Sequence, residues 1–89
     1  MASNKYNVAV VPVGRIEIVV IHVDAASCST PEMLARSMKF FKARLLGKHV
    51  VLMHVDLIRR PVYLGPPNLV EALRGKGVND LKWQKVAMV

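Results

Sequence analysis

An apolar run that ends in His-Val-Asp occurs twice in this chain of 89 residues: Val19-Val20-Ile21-His22-Val23-Asp24 and Val51-Leu52-Met53-His54-Val55-Asp56. Both copies are dominated by Val, Ile, Leu and Met, a composition that suits strands in a packed sheet. In the first, Ile16, Ile18, Val20, His22 and Asp24 alternate with Glu17, Val19, Ile21 and Val23. In the second, Val50, Leu52, His54 and Asp56 alternate with His49, Val51, Met53 and Val55. Both alternating sets are apolar in the middle, which marks central strands covered on two sides. A helical segment separates the copies. The pair therefore predicts a strand-helix-strand unit, parallel and with a right-handed crossover.

That helix carries its own start and stop signals. Ser29 or Thr30 can serve as N-cap, Pro31 opens the first turn, and Glu32 follows Ser29 at the spacing of a capping box. Leu34, Met38, Phe41 and Leu45 recur on one stripe until Gly47 ends the helix after about Leu46. Met33 and Phe40 form a smaller apolar patch on another side, suited to a neighbouring loop or a second subunit.

The rest of the chain supplies further strands around this unit. Tyr6 to Val13 reads as a strand with Pro12 at its end or on an edge, linked by Gly14-Arg15 to Ile16–Val23 in a hairpin. Ile58 to Leu64 holds a short extended piece, and Gly65-Pro66-Pro67-Asn68 breaks it. A brief helix over Leu69–Arg74 stops at Gly75, and Arg74-Gly75-Lys76-Gly77 reads as a mobile basic turn. Lys82 to Val89 alternates as a last strand, while the polar residues 1–5 are expected to be disordered. The fold class is α+β in one domain spanning residues 1–89. It is a two-layer sandwich of order β-β-α-β-(β)-α-β, with a mixed sheet of about four strands, one long helix and one short one.

Composition bears on partners. The hydrophobic share is 53%, high for a short chain with much surface and little interior, so some apolar side chains are expected to face a second copy in a homodimer. The 13 Lys and Arg against 6 Asp and Glu give a charge of +7, which favours nucleic acid, another polyanion or an acidic partner. The basic candidates for anion binding are Arg36, Lys39 and Lys42 on the helix, the pair Arg59-Arg60, and Arg74 with Lys76. No paired strand aromatics, zinc spacing or helix-turn-helix accompanies them. Arg74-Gly75-Lys76-Gly77 is no P-loop, because its glycines follow a helix instead of preceding one. Cys28 is the single cysteine, so no internal disulfide can form and a cytoplasmic location is expected. No apolar run reaches the ~20 residues that span a bilayer, and no membrane partner is expected.

The two tips are where chemistry would concentrate. Residues i and i+2 of a strand face one way, so His22 shares a side with Asp24, and His54 with Asp56. In equivalent register on adjacent parallel strands, these four would gather at the strand ends, where open α/β sheets place their sites. Such a set suits a divalent metal or acid-base work on a phosphate-containing substrate. The plainer reading makes each Asp the cap of the following turn. No cofactor is predicted. The leading expectation is a non-enzymatic association module, with a small enzyme and a structural or regulatory subunit as alternatives.

Overall fold

In the computed structural model, residues 4–88 are described. Strand β1 (Asn4–Val13) turns into β2 (Ile16–His22), and a 3-10 turn (Ala25–Cys28) leads to helix α1 (Pro31–Arg44). Strand β3 (His49–Val55) follows, then β4 (Pro61–Leu64), helix α2 (Pro67–Ala72), a second 3-10 turn (Val78–Asp80) and β5 (Gln84–Met88). The strands form one sheet in the order β4-β3-β2-β1-β5. The β2–β3 pair is parallel and the other three pairs are antiparallel. The short extended piece before the prolines is a true strand, which brings the count to five.

Local chemistry explains the connections. Between β1 and β2, Gly14 has φ 59° while Arg15 keeps an ordinary negative φ, the pattern of a II′ hairpin turn. The Thr30 hydroxyl, not that of Ser29, caps α1 by accepting from the Met33 amide at 3.1 Å. Glu32 therefore falls one position short of a capping box with Thr30, although it remains in the first turn, where a carboxylate meets the positive end of the helix. The helix ends at Arg44, two residues earlier than its periodicity suggests, and the Leu45 amide still bonds Phe41 O at 2.9 Å. At the exit of β4, a Cβ on Gly65 would stand 3.5 Å from Val50 O and 3.6 Å from Val51 Cα. Those are ordinary contacts, and it is the φ of 155° at Gly65 that favours glycine there.

The double-sided apolar pattern of β2 and β3 has a direct structural counterpart. Ile18, Val20, Val51 and Met53 pack with Leu69 of α2 and with Leu73, the residue that caps its end. Val19, Ile21, Val50 and Leu52 pack on the opposite face with Phe41 of α1. The long helix and the sheet make two layers, and the short helix adds a partial third. Phe41 is the fully buried residue of α1; Leu34, Met38 and Leu45 complete its stripe as partly buried neighbours. Phe40, placed by periodicity on another side, joins the same core through ring contact with Phe41 at 5.0 Å and 82°. Tyr6 meets Phe41 edge-on at 5.0 Å. Such edge-to-face contacts add to what area burial supplies.

A six-residue helix covers little of a sheet face, and the segment after it does the rest. Val78, Leu81 and Trp83 pack onto the core beneath α2. The indole of Trp83 donates to Val78 O at 2.9 Å, and the Tyr63 hydroxyl donates to Lys76 O at 2.9 Å. The Gly77 amide donates to the Asp80 carboxylate at 2.7 Å. The Lys76 amide donates to Leu73 O at 3.1 Å, so the turn expected to be mobile is tied down on both sides of Lys76. At the other end of the chain, Asn4 and Lys5 pair with Met88 and Ala87, so β1 takes in the last two residues of the polar segment 1–5. Residues 1–3 lie outside the described residues.

The Cα radius of gyration is 12.4 Å, against the ~12 Å expected of a compact chain this long. The high apolar share therefore does not reflect loose packing. Part of it stays on the surface: Val10 is 50% exposed and Val86 37%. These two belong to the α1 side of the sheet, beyond the helix, since Val10 pairs with Val19 and Val86 with Tyr6. Among the described residues no helix is long and apolar enough to cross a membrane.

Candidate functional site

The strand register decides what the two His-Val-Asp tips can do together. Ile21 stands opposite Leu52 and His22 opposite Met53, so the sequence repeat is offset by one residue from the structural pairing. One residue is enough to turn a side chain to the other face. His22 follows Ile18 and Val20 on the α2 face, with its ring centroid 6.0 Å from that of Trp83. His54 follows Val50 and Leu52 on the α1 face, where its Nδ1 is enclosed without a hydrogen-bond partner. The equivalent register that would have joined the tips is absent. Among the described residues no three His, Cys, Asp or Glu side chains are grouped to hold a metal ion.

Each aspartate instead organises the turn ahead of it. Asp24 accepts from the Ser27 amide at 3.0 Å and the Ser27 hydroxyl at 2.6 Å, capping the first 3-10 turn. The Ser27 side chain, then its amide, hold the Asp24 carboxyl below its usual range. Asp56 accepts from the amides of Ile58 at 3.0 Å and Arg60 at 2.8 Å, and its other oxygen lies 3.6 Å from Arg60 Nε. The Arg60 amide is the main reason that its acidity is likewise raised. Cys28, beside Asp24, is pushed the other way: burial, then the Asp24 charge, raise its thiol. A thiol raised in this way is a poor nucleophile.

The basic residues fare differently. Arg36 lines a groove of about 440 Å³ between the end of β2 and α1, together with Tyr6, His22, Asp24 and Phe40. Lys39 and Lys42 flank an apolar strip on another side of α1 that includes Met38 and Leu46. Arg44 lies over the Phe40 ring at 3.5 Å and bonds Phe40 O at 2.9 Å. Arg60, from the β3–β4 turn, and Arg74 and Lys76, from the turn after α2, gather around a single cleft of about 410 Å³. Pro61, Tyr63 and Val70 form its apolar wall.

Sequence reading named all three cations of this cleft and put Arg74 with Lys76 in one turn, but did not bring Arg60 to them. Lys76 reaches it because Tyr63 anchors its carbonyl, and Arg60 because Asp56 folds the β3–β4 turn back on itself. Glu71 is the acidic residue of the lining, and it sits 3.4 Å from Arg74 Nη2. Burial is the main cause that raises the Tyr63 hydroxyl, so the wall of the cleft stays neutral at ordinary pH. The arrangement can hold an anion against an apolar floor. Among the described residues it presents no nucleophile paired with a base.

Comparison with protein-family models, with curated proteins and with solved structures finds no match to this chain.

Proposed function

We propose that the protein is a non-enzymatic binding module that takes a polyanion in the cleft between β4 and the end of α2. The observation that carries this reading is the convergence of Arg60, Arg74 and Lys76 on one concave surface. Cations scattered over a surface are ordinary, whereas phosphate recognition requires them gathered. The net charge of +7 supplies the long-range attraction. A cytoplasmic setting accords with it, since the one thiol, Cys28, has no partner for a disulfide within the chain.

Charge reversal tests the reading. Arg60 and Arg74 each already face a carboxylate, so Lys76 is the cleaner probe. With a fluorescent duplex as the polyanion, Lys76→Glu weakens binding by about tenfold, while Lys39→Glu, outside the cleft, changes it little. Equal effects of the two substitutions would mean that only net charge matters, and would sink the cleft.

Dimerisation is a second reading, favoured by the sheet edge. Strand β5 exposes four of its five residues, and Val10 and Val86 lie uncovered on the same face nearby. An edge strand offers unpaired backbone groups to a second copy, and a two-fold pairing of β5 with β5 would continue the sheet. Light scattering at micromolar concentration is expected to give twice the 9.9 kDa chain mass. A single species at the chain mass rules the dimer out.

A further inference from the structure

The β3–β4 turn puts two large aliphatic side chains where nothing in the molecule covers them. Leu57 is 103% exposed and Ile58 64%. The turn that carries them is firmly built: the Arg59 amide bonds Asp56 O at 3.0 Å, and the Asp56 amide bonds Arg60 O at 3.0 Å. The Asp56 carboxylate adds the Ile58 and Arg60 amides. This is a type I turn closed by a left-handed residue, a place that glycine usually takes. Here it is Arg59 at φ 63°, the one non-glycine residue with positive φ among those described. The chain accepts strain to keep an arginine there, and such strain collects at working sites. Arg60, next along, lines the cationic cleft, so the aliphatic tip and the cleft are joined by one short turn.

We propose that Leu57 and Ile58 are a wedge for duplex DNA, entering a base step while the cleft and Arg59 hold the adjoining phosphates. The inference rests on the polyanion reading of the cleft and adds the ligand's form. Apolar side chains inserted between base steps unstack them and kink the duplex, with flanking arginines on the backbone. Single strands are bound by stacking bases on aromatic side chains. The tip has none, and the rings of Tyr63 and Trp83 are packed against the core. A lipid surface suits the chemistry less well. Two side chains offer less apolar area than one acyl chain, which by itself anchors only marginally, and a flat bilayer cannot enter a cleft.

The test uses the full chain and an end-labelled DNA duplex of about 20 base pairs, with affinity and end-to-end energy transfer read together. Both side chains are exposed, so Leu57→Ser with Ile58→Ser leaves the fold intact. The wild type is expected to bind and shorten the end-to-end distance. The double variant is expected to bind within about threefold of wild type and leave the duplex straight. Binding by the wild type with no change in distance, or equal bending by the variant, overturns the wedge and leaves the cleft standing. No binding of the duplex at low salt overturns wedge and cleft together. Binding of vesicles that contain anionic lipid, lost in the double variant and without duplex bending, assigns the tip to a membrane and also overturns the wedge.

Discussion

Asp24 and Asp56 hold the turns that follow β2 and β3 by accepting hydrogen bonds from the chain just ahead of them. Because both carboxyls are more acidic in the folded chain than in the unfolded one, their contribution is present above the ordinary aspartate range. It is lost as pH falls through the depressed folded values. Thermal stability is therefore expected to drop in acid, and to drop less in a variant carrying Asp24→Asn and Asp56→Asn. Melting curves against pH check this; identical acid profiles for both proteins contradict it. The two aspartates were legible as turn caps from their place at strand ends. The histidines before them were not, since a one-residue offset decides their faces and alternation alone cannot supply a register.

Arg59 belongs to the same scale. A left-handed conformation costs an L-residue about 1–2 kcal/mol that glycine does not pay. Arg59→Gly is expected to raise stability by about 1 kcal/mol, several degrees in melting temperature for a domain this small. It is also expected to weaken duplex binding. A gain in stability with no loss of binding would show that the strained arginine has no role in recognition.

Among the elements, α1 was the most legible. Its cap, its proline and its stripe all lie within a few residues of one another, and local signals of that kind survive without tertiary knowledge. Of the two candidate caps, Thr30 is the one used, because it, and not Ser29, holds the extended conformation from which a side chain reaches the Met33 amide. Thr30→Ala is expected to cost about 1 kcal/mol, with Ser29→Ala close to neutral. Denaturant melts of the two variants distinguish them, and the reverse order would put the cap at Ser29. The segment after α2 was the least legible. Val78, Leu81 and Trp83, at spacings of three and two, follow two glycines and fit no single period, so nothing marks them as cover for a sheet face. Their positions depend on Tyr63, distant in sequence, which holds the Lys76 carbonyl just before them.

At the scale of the whole molecule, a sheet buried on both sides leaves its polar chemistry at the rim. The core has no buried polar or charged residue among those described. Charged groups therefore sit at the rim, and three cations converge where the β3–β4 turn meets the turn after α2. Composition pointed toward an anionic partner but could not bring its cations together, because Arg60 becomes a neighbour of Arg74 and Lys76 only through the fold. On the proposed reading, this cleft binds a polyanion through direct phosphate contacts. The most direct measurement is the affinity for a DNA duplex across a salt series, for the wild type and for Lys76→Glu. For the wild type, log affinity is expected to fall linearly with log salt concentration, and the variant's slope to be shallower by about one. An affinity indifferent to salt, or an unchanged slope in Lys76→Glu, would contradict the account.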